Sequence, residues 1–185
     1  MKKTLALSVV AAAIALSNGA AQAQATDKVR IGFITDMSSL YSDVDGKGGG
    51  MLTVNAVKQA VAEFGGGMEV EVLAADHQNK ADIAASKARE WMDTQGLSML
   101  IGGTNSGTGL AMAKVALEKK RPFIAIGAGS SALTNDQCSP YTVHYAYDTV
   151  ALAKTTGPAV VKAGGKSWYF LTADYAFGQA LAIAT

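Results

Sequence analysis

One cysteine, Cys138, stands among the 185 residues, so no disulfide can form within the chain. In an exported protein, where cysteines usually pair, this leaves a buried, inert thiol or a partner outside the sequence. Beyond the first two dozen residues no apolar run is long enough to cross a bilayer. Basic blocks are lacking, which gives no footing for nucleic acid, and no acidic tail suggests a disordered arm. Only two histidines are present. His77 and His144, with Asp76 and Cys138, show no metal-ligand spacing, so satisfied surface or loop histidines are expected. The G-x-S-x-G elbow is also missing, which leaves Ser131, Cys138 and His144 without the context of a hydrolase. No internal repeat is visible.

What the N-terminus does contain is a leader. Lys2 and Lys3 precede an unbroken small and apolar stretch over residues 5–16, and Ala21-Gln22-Ala23 and Ala23-Gln24-Ala25 both fit a cleavage site. The stretch is too short for a membrane span, so residues 1–25 read as a cleavable signal peptide. No cysteine follows it to carry a lipid. Setting aside Lys2 and Lys3, 14 of the 16 basic residues face 15 acidic ones, so the mature chain is close to neutral. About 160 residues remain, enough for one good core. The sequence stops inside a helical pattern at 180–185 without a cap, which points to a fragment of a longer protein.

Strands are expected at 29–35, 68–73, 97–101, 122–126 and 167–172, from short β-branched and aromatic runs. Helices are expected at 51–64, 82–94, 108–119 and 148–163, with another opening after Gly178. Val54, Val57, Val61 and Phe64 share one helical face, and Gly65-Gly66-Gly67 stops that helix. Asp82 lies in the N-cap region of the second helix, and Asp148 caps the fourth. Residues 141–147 read as an extended crossing. The alternation of strand and helix predicts an α/β fold with a doubly wound parallel sheet. Ligands of such sheets bind beyond the carboxyl ends of the strands. Three of the loops there are rich in Ser, Thr, Asn and Gly.

Two of those loops resemble nucleotide motifs without meeting their terms. Gly127-Ala128-Gly129-Ser130-Ser131-Ala132 matches G-x-G-x-x-G/A, but residues 135–140 leave no room for the helix that motif needs. Gly102-Gly103-Thr104-Asn105-Ser106-Gly107 has phosphate-loop glycines but no lysine to neutralise a triphosphate. A neutral, hydroxyl-lined loop opening a helix suits a carboxylate or polar amide; the plainer reading is that its Ser and Thr cap the helix. Asp174, Tyr175 and Phe177 sit on a loop after a strand, where they either grip a ligand or, for Phe177, begin the core of the last helix.

The leader, residues 29–38, Ala75-Asp76-His77-Gln78, the loop at 102–107, and Ala173-Asp174-Tyr175-Ala176-Phe177-Gly178 follow one another in an order that resembles a known family. It is that of the periplasmic substrate-binding proteins of branched-chain amino-acid-type ABC transporters, the leucine/isoleucine/valine-binding group. The resemblance implies the type I periplasmic binding fold, two α/β lobes closing on a ligand. Residues 26–141 would then be an incomplete first lobe, 142–148 a hinge crossing, and 149–185 the start of a second lobe. By position, Ser106 matches a serine that binds the ligand carboxylate. Gly129 and Ser131 match contacts after the fourth strand, and Phe177 matches an aromatic that packs on the ligand. Asn105, Tyr175, Ser38 and Tyr41 are weaker matches. The implied protein is a non-enzymatic periplasmic receptor, monomeric at full length. It would deliver an amino acid or a small organic or aromatic acid to an inner-membrane permease, with no cofactor, metal or nucleic acid. A sensory domain of the same fold, or less readily an exported α/β hydrolase, is the alternative.

Overall fold

The computed structural model describes residues 28–44 and 47–185. The signal-peptide reading of residues 1–25, and Asp45 and Gly46 of the first loop, lie outside the described residues.

Five parallel strands form one sheet in the order β2-β1-β3-β4-β5. They are β1 (Val29–Thr35), β2 (Val70–Asp76), β3 (Met99–Gly102), β4 (Phe123–Ala125) and β5 (Thr142–His144). The apolar run of β1 lies in the sheet interior, with Phe33 and Ile34 fully buried. It pairs in register with β2 from Val29↔Val70 to Thr35↔Asp76, and with β3 on its other edge. On the β1–β2 ribbon the Arg30 Nε donates to Glu71 Oε2 at 2.9 Å.

Helices α1 (Gly49–Phe64), α2 (Ala81–Thr94) and α3 (Ser106–Lys119) connect the strands. The chain moves one way from β1 to β2 and the other way from β2 through β3 to β4. Right-handed crossovers therefore place α1 on one face and α2 and α3 together on the other. The core follows this placement. Ala84, Ala88 and Trp91 of α2 pack with Met112, Val115 and Ala116 of α3, and both helices cover Ile34, Leu100 and Phe123. Gly102, the last residue of β3, is required as glycine. Its φ is +135°, and a Cβ there would lie 1.9 Å from the Ile34 carbonyl oxygen.

Helix α4 (Thr149–Lys162) starts where expected, with Asp148 Oδ1 accepting from the Ala151 N–H at 2.7 Å. Helix α5 (Ala176–Ala184) follows the last loop. Helix α2 differs from expectation, because Lys80 occupies its N-cap and Asp82 lies in its first turn. The crossing at 141–147 is partly a strand, since Thr142–His144 pairs with β4. The expected strand at 167–172 does not form, and those residues are exposed and without regular structure. A strand is held by its neighbours' hydrogen bonds, and no described strand lies beside this segment.

Candidate ligand-binding site

The sheet order reverses between β1 and β3. In doubly wound folds this switch point opens a crevice at the carboxyl edge. A cavity of about 220 Å³ lies there. Thr35 ends β1 and contributes to its floor, with Thr104, Asn105 and Ser106 from the loop after β3, and Ile126, Gly127 and Gly129 from the loop after β4. Tyr41 and Val44 come from the loop after β1, and Thr53 from α1. Tyr147, Tyr175 and Phe177 close the remaining side. Among the described residues, none of the lining side chains carries a charge.

The roof is an aromatic cluster. Phe177 meets Tyr147 edge-on at 6.4 Å and stacks on Tyr175 at 6.1 Å, both within the range of favourable ring contacts. The Tyr41 hydroxyl donates to the Tyr175 hydroxyl at 2.8 Å and ties the first loop to the start of α5. Burial pushes the Tyr175 phenol well above its ordinary range, so it stays neutral. Gly129 lets the rings approach the backbone. A Cβ there would sit 2.8 Å from Tyr147 and 3.0 Å from Phe177.

The floor is fixed by a buried polar network. Asn105 is the N-cap of α3. Its Oδ1 accepts from the Thr108 N–H at 3.0 Å, and the Thr108 hydroxyl closes the reciprocal capping box. The Asn105 side-chain amide also donates to Asn79 Oδ1. Ser106 is 1% exposed, and its Oγ accepts from the Ser130 N–H at 3.0 Å, joining the two glycine-containing loops. His144 Nε2 lies 2.6 Å from the Ala128 carbonyl oxygen and anchors the second loop to β5.

Of the eight residues singled out from sequence, six line this cavity: Ser106, Asn105, Gly129, Tyr41, Tyr175 and Phe177. Two lie behind it. Ser131 opens a short 3₁₀ turn, and its Oγ accepts from the Thr149 hydroxyl at 3.2 Å. Ser38 is exposed, and its Oγ donates to Asp76 Oδ2 at 2.5 Å. Thr35, Thr104 and Tyr147 were missed. The rule that ligands sit at strand carboxyl ends reaches Thr35 and Thr104, whereas Tyr147 carries no local signal. His77 lies in the loop directly after β2, as a loop histidine, but is not on the surface. It is fully buried, its Nδ1 accepts from the Asn79 N–H, and its Nε2 has no partner among the described residues. Cys138 is exposed.

The profile of the periplasmic binding protein family matches residues 28–185. The chain belongs to that family. Among solved structures, this periplasmic binding protein is similar to one from Burkholderia mallei, at 67% identity and a TM-score of 0.78, over 85% of this chain and 42% of that one. It is 33% identical, with a TM-score of 0.68, to a branched-chain amino acid ABC transporter ligand-binding protein from Burkholderia xenovorans, over 84% of this chain and 41% of that one. A Rhodopseudomonas palustris solute-binding protein in complex with 3,4-dihydroxybenzoic acid is 26% identical, with a TM-score of 0.71, over 85% and 42%. The chain thus spans about two-fifths of the length of these relatives. No curated protein sequence matches it. The five-stranded parallel sheet is the α/β architecture of type I periplasmic binding proteins.

Proposed function

We propose that this periplasmic binding protein captures a small carboxylate-bearing ligand, an amino acid or a small organic or aromatic acid, and passes it to an ABC permease in the inner membrane. Residues 1–25 direct export and are removed. Residues 26–141 belong to the first lobe, 142–148 cross the hinge, and 149–185 begin a second lobe. The full-length receptor acts as a monomer and without a cofactor.

The observation that carries this reading is the uncharged, hydroxyl-lined cavity at the switch point, roofed by the rings of Tyr147, Tyr175 and Phe177. Hydroxyl and amide donors suit a carboxylate, and rings suit the apolar body behind it. Ser106, Gly129 and Asn105 stand on the floor, and Tyr41, Tyr175 and Phe177 on the roof. Ser131 and Ser38 support their loops from behind. The 3,4-dihydroxybenzoic acid in the Rhodopseudomonas relative is a ligand of this size and charge.

A hydrolytic role has less support. His144 directs Nε2 at the Ala128 carbonyl, Ser131 bonds Thr149, and Cys138 stands exposed on the surface. A nucleophile needs its base within hydrogen-bond reach. The test is calorimetric titration of the native gene product with benzoate, 3,4-dihydroxybenzoate and L-leucine. Ser106→Ala is expected to weaken the bound acid by about 1–2 kcal/mol, through loss of a hydrogen bond to a charged group. Unchanged affinity in that variant would remove Ser106 from the site.

A further inference from the structure

Thr35 and Thr104 form a hydroxyl pair on the cavity floor that the family resemblance does not assign. Their Oγ1 atoms lie 2.6 Å apart. Thr104 Oγ1 also accepts from the Asp36 N–H at 3.1 Å. Thr35 is 5% exposed, yet both residues line the cavity.

A proton count decides what this pair can do. Each hydroxyl has one proton to donate. If Thr35 donates to Thr104, then Thr104 accepts twice and its own O–H is left over. If Thr104 donates to Thr35, the Thr35 O–H is left over. Either way one donor remains, and no other described residue takes it. Ser106 gives the same count. Its Oγ accepts from Ser130 N–H and its O–H remains. A buried hydroxyl proton without an acceptor carries a desolvation cost, which a ligand oxygen removes.

We propose that the Thr35–Thr104 pair and Ser106 form a seat of two neutral O–H donors for the two oxygens of a carboxylate, with the Thr pair acting as one donor shared between two residues. The inference rests on the carboxylate-receptor reading above and deepens it. The seat selects by proton inventory. A carboxylate oxygen accepts at both positions, whereas a primary amide presents N–H₂ at one of them, and the hydroxyl there takes that N–H only by leaving its own proton without an acceptor. Among the described lining residues no side chain is cationic, so in this part of the site donor direction rather than net charge sets the preference.

The shared-donor arrangement makes an unusual prediction for mutagenesis. Thr35→Val leaves the Thr104 O–H available, and Thr104→Val leaves the Thr35 O–H available. Each single variant is expected to bind benzoate within about threefold of the wild type. The double variant Thr35→Val/Thr104→Val loses the donor and is expected to bind on the order of tenfold or more weakly, the range of a hydrogen bond to a charged group. Two purely structural residues would instead give additive losses.

The experiment is calorimetry on the native gene product with benzoate and benzamide, 3,4-dihydroxybenzoate and L-leucine serving as further carboxylate probes. Circular dichroism checks that each variant folds, and Thr35→Ser/Thr104→Ser, which keeps both hydroxyls, is expected to bind like the wild type. A double Val variant that holds its carboxylate as tightly as the wild type overturns the inference and leaves the receptor reading standing. Wild-type protein that binds none of the carboxylates overturns both. The amide comparison needs no variant and decides the matter where the double variant does not fold. Wild type is expected to prefer benzoate over benzamide by tenfold or more, and equal affinities overturn the two-donor seat.

Discussion

Asp36, directly after β1, shows how single residues hold the first loop. It is fully buried, and its carboxylate accepts from the Ser39 hydroxyl and the N–H groups of Ser38, Ser39 and Tyr41. Burial pushes its carboxyl up, but these four bonds together pull harder and hold it below the ordinary 3.8. Asp76 behaves alike, with burial opposed by the Ser38 hydroxyl and the N–H groups of Met37 and Gln78. A depressed carboxyl contributes stability above its unfolded value that is lost as pH falls through the lower folded value. His77 adds a second window. Burial depresses its imidazole below 6.5 despite the nearby Asp36 and Asp76. The unfolded chain then takes up a proton that the folded chain refuses, so stability declines as pH drops below about 6.5 and levels off beneath the folded value. Denaturant titrations from pH 8 to pH 3 are expected to show both declines. His77→Gln should flatten the upper one alone, and an unaltered upper slope would mean His77 is not its source. Gly129→Ala tests the roof. The atoms in the way are ends of aromatic side chains, so the variant should fold with near-native stability while the displaced rings weaken benzoate binding several-fold. None of these burials can be read from sequence. Asp36 and His77 look like loop residues, and only the return of β3 beside β1 encloses them.

Helix α3 was expected at 108–119 and begins two residues earlier, at Ser106, where local chemistry fixes its start. The Asn105–Thr108 pair satisfies two of the helix's first amide groups within four residues. Asn105 additionally joins α3 to the loop after β2 through Asn79. Asn105→Ala is therefore expected to cost roughly 1–2 kcal/mol in chemical denaturation, the upper end for an N-cap. A loss near zero would show that the capping box is not holding the helix start. The strands and helices from β1 to β4 were legible for the same reason, since each has its own local pattern and punctuation. The segment at 167–172 has the composition of a strand, and composition can indicate only readiness to pair. The Thr35–Thr104 pair was illegible for a related reason: the two residues are 69 positions apart and meet only through the register Ile34↔Gly102. The hydroxyl-rich loops after β1 and β3 were visible as loops, but the bonds between them were not.

At the scale of the whole molecule the two ends of the sheet differ. The core of the sheet is closed over by α2 and α3. Around α4 and α5 the apolar surface is open, with grooves of about 620 and 500 Å³ lined by residues such as Pro158, Val161, Trp168, Phe170 and Leu181. Tyr169 is 92% exposed, Leu171 94% and Ile183 87%. Both grooves are larger in volume than the cavity at the switch point, yet their walls are mainly apolar and lack its convergent hydroxyls. A contiguous apolar surface of this kind drives association, and a net charge of only +1 gives little repulsion to oppose it. The 185-residue chain on its own is therefore expected to associate and to bind an apolar fluorescent dye. Tyr169→Lys/Leu171→Lys should reduce both effects without altering the circular dichroism of the sheet. Light scattering at increasing concentration gives the decision: a monodisperse wild-type monomer with a single sharp melt and no dye binding would show that the exposed segment is covered from within the chain itself.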